Sequence, residues 1–165
     1  MKLDYLQALK RVDEARGVWI LHGQEPLLEQ NLLDALRKSW AKHEVERQRY
    51  DLNSVSDWKN VFNALNSLSL FSQNLALEVH GNIKPDANGL KQLKHYIQHN
   101  EHNLLVIIMP KQDSSSLKSS FFQTVEANGV VIALTANYPQ DRQANIVNRS
   151  RSARCPIKSR CLDLA

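Results

Sequence analysis

Val18-Trp19-Ile20-Leu21-His22-Gly23-Gln24-Glu25-Pro26-Leu27-Leu28 contains the pattern that identifies the fold class of this 165-residue chain. Its first half is a continuous apolar run, typical of a strand buried on both faces, and Gly23 closes it. Pro26 has a fixed backbone angle suited to the first turn of a helix. The stretch therefore predicts a strand, a tight loop and a helix. That helix carries apolar residues at helical spacing: Leu28, Leu32, Ala35, Leu36 and Trp40.

The same alternation of strand and helix continues along the chain. Apolar runs predict strands at 75–80, 104–109 and 130–134, with a weaker strand at 49–52, and helices are predicted at 58–68, 90–99 and 117–125. Parallel crossovers are nearly always right-handed, and fully apolar strands need cover on both faces. We therefore predict a three-layer α/β domain with a mainly parallel, five-stranded sheet.

Two further elements are predicted outside this alternation. Leu3, Leu6, Leu9 and Val12 predict a short amphipathic helix that ends at Gly17 and covers an edge of the fold. The serines at 114–116 are interpreted as the N-terminal cap of the helix that begins near Leu117, rather than as a nucleophile.

The charge of the chain is concentrated in its last 22 residues. The net charge of +4 is accounted for by five basic side chains and Asp163 in residues 144–165, so residues 1–143 carry 16 basic and 16 acidic side chains. A neutral body has no strong overall field to attract a phosphate backbone. The tail lacks a sustained hydrophobic period, which is typical of disorder.

Composition further limits the class of protein. The chain is 42% hydrophobic and 23% charged, which is ordinary for one soluble domain. No window reads as a membrane span or a signal peptide, so we expect a cytoplasmic protein. Both cysteines, Cys155 and Cys161, lie in the tail, and the body therefore has neither a disulfide framework nor a thiolate metal site.

The loop after the first apolar strand stands where a phosphate-binding loop would be. Gly23-Gln24-Glu25-Pro26 is followed by neither the lysine nor the hydroxyl residue that such a loop requires. Glu25 places a carboxylate where an anion would bind, and Pro26 removes a backbone donor. Glu78 lies inside its strand rather than at its end, where an acid would hold magnesium. We predict a nucleotidase-like architecture without a working nucleotide site.

Histidines offer weaker candidates for chemistry. His22 and His80 each lie at a strand end, where active sites of open α/β sheets form, but no nucleophile accompanies them. His95, His99 and His102 could approach one helix face, although a solvated polar face is favoured over a zinc site there.

Asn66-Ser67-Leu68-Ser69-Leu70-Phe71-Ser72 places large apolar side chains where the preceding helix does not use them. The helix stripe of Trp58, Val61, Phe62 and Leu65 reaches Leu68. At about 100° of rotation per residue, a helix that continued to residue 71 would place Leu70 and Phe71 outside this stripe. Position alone favours burial of both in the core, and a surface anchor for a partner protein is the alternative.

Four features in a fixed order carry a family resemblance: the run from Trp19 to Leu28, the Asp57-Trp58 pair, Ser69-Leu70-Phe71, and the strand at 104–108 ahead of a lysine-containing loop. Across residues 1–143 the chain resembles the N-terminal region of the delta subunit of the bacterial DNA polymerase III clamp loader. The resemblance implies an ATPase-type (AAA+) domain that has lost its nucleotide motif. It implies no cofactor and no intrinsic catalysis, within a DNA-directed DNA polymerase holoenzyme.

The resemblance also implies a partner and a site. In the family, a leucine-phenylalanine pair of the first domain inserts into a hydrophobic pocket on the DNA sliding clamp and helps to open the ring for loading onto primed DNA. Here that role falls to Leu70 and Phe71, framed by Leu68 and Ser69. Asn66 stands where a clamp-binding peptide often has glutamine.

In the family, a small second domain and a helical collar follow the first domain, and the subunits assemble largely through the collar. After about residue 143 this sequence no longer resembles the family. We therefore predict a degenerate AAA+ domain at 1–143 and a basic tail at 144–165 that is disordered or non-native, from a truncation or a frame change. We expect contacts with other loader subunits mainly through the later domains, and DNA contact only weakly or indirectly.

Two other functions stay open on the residues alone. One is a small α/β enzyme whose active site lies at the strand ends near His22 and His80. The other is a nucleic-acid-binding domain that uses the basic tail, residues 144–165.

Overall fold

The computed structural model describes residues 1–67, 74–99 and 102–135 of the chain. The boundary predicted at residue 143 and the basic tail therefore lie outside the described residues. In chain order the elements are β1 (Lys2–Leu3), α1 (Tyr5–Leu9), a 3-10 turn (Val12–Glu14), β2 (Gly17–Gly23), α2 (Pro26–Lys42), β3 (Glu46–Asp51), α3 (Asp57–Asn66), β4 (Leu75–His80), α4 (Ala87–His99), β5 (Leu104–Pro110), α5 (Ser114–Leu117), α6 (Ser120–Asn128) and β6 (Val130–Leu134).

The strands form one parallel sheet in the order β1-β6-β2-β5-β4-β3. β2 and β5 lie side by side at its centre, where Gly17 pairs with Leu104 and Gly23 with Pro110. The central strands are apolar throughout because helices cover both of their faces. The prediction of an α/β fold with a mainly parallel sheet is confirmed, and the sheet has six strands, one more than the sequence indicated.

Helices on the two faces of the sheet form two separate cores. Because successive side chains of a strand point to opposite faces, Val18 and Ile20 pack on the side of α3, α4 and α6, whereas Trp19 and Leu21 pack on the side of α1 and α2. The three-layer arrangement predicted from the apolar strands is therefore present. No helix within the described ranges is long and apolar enough to cross a membrane.

The beginning of the chain differs from the predicted single helix over Leu3 to Val12. Leu3 belongs to a strand and pairs with Ile132, and the helix starts only after Asp4. Asp4 caps it, since its carboxylate accepts a hydrogen bond from the Gln7 backbone N–H at 2.7 Å. The helix ends at Leu9, and Gly17 starts β2 instead of ending the helix.

Other boundaries also differ from the sequence prediction, and α3 ends at Asn66 instead of residue 68. β3 covers Glu46–Asp51 instead of 49–52, and α4 begins at Ala87 instead of near residue 90. The helix predicted around Leu117 is divided into α5 and α6. The cap of α5 is Asp113, whose carboxylate accepts a hydrogen bond from the Ser116 backbone N–H at 2.8 Å, so the assignment of the cap to the serines was wrong.

Candidate functional site

The carboxyl ends of the parallel strands share one edge of the sheet, where ligand sites of open α/β folds usually form. In this chain the edge carries His22 and Gly23 from β2, His80 from β4 and Leu134 from β6. It is also where the sequence placed the degenerate nucleotide loop.

Only two residues, Gln24 and Glu25, connect β2 to α2. Gly23 pairs with Leu134, and a Cβ atom at position 23 would overlap the Leu134 carbonyl oxygen, so the close approach of β6 requires glycine. Glu25 occupies the N-cap position without a side-chain capping bond, and Pro26 is the first helical residue. The loop is thus short, packed against β6, and carries a carboxylate at the helix N-terminus.

Glu78 is a fully buried carboxylate in the middle of β4. Two guanidinium groups bind it in bidentate fashion: Arg37 of α2 donates at 2.8 and 2.9 Å, and Arg47 of β3 donates at 2.7 and 3.1 Å. Burial by itself raises the pKa of Glu78, but the contacts with Arg37, His80 and Arg47 outweigh it and hold the pKa well below its usual value. This carboxylate is fully engaged in holding α2, β3 and β4 together.

The structure does not bring the two strand-end histidines together. His22 faces α6, where its ring meets Phe122 edge-on at a centroid distance of 6.0 Å. His80 faces α2, with its Nε2 atom 3.6 Å from a Glu78 carboxylate oxygen. The two rings are therefore on opposite faces of the sheet, and β5 lies between their strands. Burial lowers the pKa of His22, which is 8% exposed, and thereby favours the neutral form of the ring.

The stacked pair His95 and His99 lies exposed on α4, with ring centroids 4.2 Å apart. Within the described ranges, no group of three or more histidine, cysteine, aspartate or glutamate side chains could hold a metal ion.

Leu68, Ser69, Leu70 and Phe71 lie outside the described residues, but both flanks of their segment are described. α3 ends at Asn66, and Ser67 has extended backbone angles, φ −75° and ψ 134°. Downstream, the Asn74 carbonyl accepts a hydrogen bond from the Glu46 backbone N–H at 3.1 Å. The described flanks of residues 68–73 are thus the end of α3 and the start of β4.

The core uses the whole apolar stripe of α3. Trp58, Val61, Phe62 and Leu65 are all buried, and the Trp58 indole N–H donates to the Ile83 carbonyl at 2.9 Å. The helix has ended before residue 68.

Sequence reasoning missed the role of Glu78 and its two arginines. A lone carboxylate inside an apolar strand was a usable signal, because a buried charge must be paired. Its partners could not be named from the sequence, since Arg37 and Arg47 precede Glu78 by 41 and 31 positions.

Comparisons with known proteins agree with the resemblance found in the sequence. A family model described as "DNA polymerase III, delta subunit" matches residues 19–135, which is 117 of the 165 residues. Among curated proteins, none matches the chain.

Solved structures share the fold at low sequence identity. The DNA clamp loader delta protein of Bacillus subtilis superposes with a TM-score of 0.65 at 12% identity, over 90% of this chain and 47% of that one. A RuvB variant from Thermotoga maritima matches with a TM-score of 0.51 at 14% identity, over 89% of this chain and 48% of that one. The Aeropyrum pernix ORC2 protein matches with a TM-score of 0.51 at 12% identity, over 89% and 49%. This chain spans about half the length of these structures.

Proposed function

Because this chain belongs to the family of DNA polymerase III delta subunits, we propose that it binds the DNA sliding clamp through a wedge of Leu70 and Phe71, framed by Leu68 and Ser69. The observation that carries the proposal is the end of α3 at Asn66. The apolar stripe of α3 is complete at Leu65, before the wedge begins, which supports a role for the pair outside this helix. Clamp binding is also the role that the family resemblance assigns to this pair.

The flanks of the wedge segment suit this role. On one side the Ser67 backbone N–H donates to the Asn63 carbonyl at 2.9 Å, and on the other side Asn74 is bonded to β3. Both ends of the segment are therefore fixed to the fold. A segment held at both ends loses less conformational entropy on binding than a free peptide does.

Burying a leucine and a phenylalanine contributes on the order of 3–6 kcal/mol before ordering costs. If the domain binds the opened clamp better than the closed ring, this difference in affinity shifts the ring toward the open form. The proposed action is therefore mechanical, and it requires no chemistry by this domain. The other loader subunits are proposed as further partners, with contacts mainly outside this domain.

The test is a titration of the sliding clamp with the wild-type chain and with Leu70→Ala/Phe71→Ala. We expect the double substitution to weaken binding by about 100-fold or more, because the apolar burial is lost. Leu6→Ala/Leu9→Ala, on the other side of the fold, is the matched control and should leave clamp affinity unchanged. Equal affinity of the wild type and the wedge variant, both shown to be folded, would disprove the proposal.

Ring opening needs a separate measurement. Two fluorophores placed across one interface of the clamp report its separation, and we expect the wild-type chain to increase the open fraction while the wedge variant does not. If binding occurs without any change in this signal, the domain is a clamp tether and the opening part of the proposal is wrong.

We further propose that the Gly23 to Pro26 loop does not bind nucleotide. The short connection, the packing of Gly23 on Leu134 and the carboxylate of Glu25 all oppose a phosphate group there. Titration of the chain with Mg-ATP should give no saturable signal, and saturable binding that is changed by Glu25→Ala would contradict this.

A further inference from the structure

The helix α4 (Ala87–His99) carries two histidines four positions apart, His95 and His99, near its carboxyl end. Residues at this spacing are neighbours on one side of a helix. Both side chains are exposed, and their rings stack with a centroid distance of 4.2 Å and an angle of 22° between the ring planes. Two imidazole groups are therefore adjacent on an open surface.

A hydrogen bond fixes which nitrogen of His99 is available to a ligand. The His99 Nδ1 atom lies 2.9 Å from the His95 backbone carbonyl oxygen. A carbonyl oxygen only accepts hydrogen bonds, so Nδ1 carries the proton and donates it, and in the neutral ring the lone pair is on Nε2. Metal-binding histidines commonly donate their other ring N–H to a backbone carbonyl, which orients the ring. His99 is thus arranged to bind a metal ion through Nε2.

The surroundings leave both rings accessible to an ion. Neither histidine forms an ion pair within the described ranges, and the sequence of α4 contains no acidic residue that would compete for them. Lys91 lies one turn before His95 on the same side of the helix, and its positive charge opposes a bound cation. The affinity of the pair for a cation should therefore depend on the residue at position 91.

Binding requires a small rearrangement of the two rings. Rings stacked at 22° direct their in-plane lone pairs nearly parallel, whereas two ligands of one ion must converge on it. The torsion that turns an imidazole ring has a broad energy profile, so an exposed ring turns at low cost. The His95 ring has no hydrogen bond to another described residue, and it can turn while His99 keeps its bond to the backbone.

The number of ligands limits the kind of ion. Among the described residues, no third histidine, cysteine, aspartate or glutamate joins the pair, and His102 instead lines a cavity with Trp40 and His43. A closed zinc site has four protein ligands and a catalytic zinc site has three. Two imidazoles suit an ion that keeps water in its other positions, and affinity for such ligands rises through Ni²⁺ to Cu²⁺ and falls again at Zn²⁺.

From this geometry we propose that His95 and His99 form a two-histidine site for a divalent transition ion of the nickel and copper class. The Nε2 atom of His99 is one ligand, a ring nitrogen of His95 is the second, and water occupies the remaining positions. Both ligands reach one ion only while the last turn of α4 is helical, so a bound ion also stabilises that turn. The inference goes beyond the proposed function and does not depend on it.

The test is a calorimetric titration of the untagged, full chain with Ni²⁺. Every protein carries Cys155→Ser/Cys161→Ser, which removes two thiols that also bind Ni²⁺. The matched control, Lys94→His/His95→Lys, keeps the composition but places the two histidines five positions apart, about 140° around the helix. We expect the parent chain to bind a single ion, and His95→Ala, His99→Ala and the control to bind about 100-fold more weakly, because chelation is lost.

Two further measurements separate a specific site from weak binding to any exposed histidine. Lys91→Glu replaces the opposing charge with a carboxylate one turn from His95, so Ni²⁺ should bind several-fold more tightly than to the parent chain. Saturating Ni²⁺ should also slow amide hydrogen exchange in the last turn of α4 in the parent chain and not in the Lys94→His/His95→Lys control.

Two results would overturn the inference. The first is the absence of saturable Ni²⁺ binding by the parent chain. The second is equal affinity of the parent chain and the Lys94→His/His95→Lys control, which would mean that the ion binds single histidines instead of the pair. Melting temperatures measured without metal establish that all variants are folded.

Discussion

The buried cluster at Glu78 and the exposed lysines of α3 and α4 differ in whether their charges have a partner within the described residues. On the α2 face, Glu78 is buried and bound by Arg37 and Arg47, so charges cancel inside the molecule. On the α3 and α4 face, Lys59 and Lys91 lie exposed around an open groove without an ion-pair partner among the described residues. The difference separates charge that determines how the chain folds from charge that is available to a partner. Substitution of the first kind of charge should change the free energy of unfolding, whereas substitution of the second kind should change binding to a partner.

The largest expected effect is on the α2 face. Glu78→Gln leaves two guanidinium groups facing a neutral amide. Because the side chains of Arg37 and Arg47 are 31% and 42% exposed and can be solvated, we expect a loss of about 1–3 kcal/mol of folding free energy, the range for unsatisfied hydrogen-bonding groups. Urea unfolding measures this loss. Asp51→Asn is the control, because it breaks the exposed pair between Arg49 and Asp51, whose atoms are 3.1 Å apart. The control should lose at most about 1 kcal/mol. Equal losses in the two variants would remove the distinction between the faces.

Acid should weaken the α2 face selectively. The folded-state pKa of Glu78 lies below its ordinary value of 4.5, so its contribution to stability is complete above that pH and is lost as pH falls through the folded-state pKa. We expect the difference in unfolding free energy between wild type and Glu78→Gln to be constant at neutral pH and to narrow below about pH 4.5. If the difference in unfolding free energy between the two proteins does not depend on pH, the charge of Glu78 does not contribute to stability.

Replacing the whole cluster should cost less than breaking it. In Arg37→Met/Glu78→Leu/Arg47→Met, no buried charge is left without a partner, and such replacements are often neutral or stabilising. We expect an unfolding free energy within about 1 kcal/mol of wild type, compared by urea unfolding with Glu78→Gln. A triple variant as unstable as Glu78→Gln would mean that the ion pairs themselves stabilise the fold.

The smallest expected effect is on the opposite face. Lys59→Glu/Lys91→Glu changes exposed side chains that have no ion-pair partner among the described residues, so its unfolding free energy should stay within about 0.5 kcal/mol of wild type. A large loss of unfolding free energy would instead mean that these lysines stabilise the fold.

The sequence was most informative where residues are apolar in succession. β2, β4, β5 and β6 were predicted because helices cover both faces of each, which makes almost every position apolar. β3 was misplaced because an edge strand with alternately half-buried and exposed residues has weak patterning. β1 was missed because its two residues become a strand only by pairing with β6, far along the chain.

The candidate site was predictable in a different way. The absence of phosphate-binding residues in the Gly23 to Pro26 loop could be predicted from the sequence, because each position of a phosphate-binding loop has a defined function. The packing of Gly23 against Leu134 could not be predicted, because it depends on the order of the strands in the sheet. The wedge at Leu70 and Phe71 came from family resemblance together with a break in helical spacing, and it stays a prediction.

The order of the strands determines when, during synthesis of the chain, the sheet can be completed. Within the described sheet, β1 pairs only with β6, where Lys2 lies beside Val131, and β6 also separates β1 from β2. At about 5–20 residues per second, the first strand leaves the ribosome on the order of ten seconds before its partner has been made. β2, β5 and β4 can assemble in that interval. β6 then inserts between β1 and β2, so this part of the sheet can be completed only after residue 134 has been made.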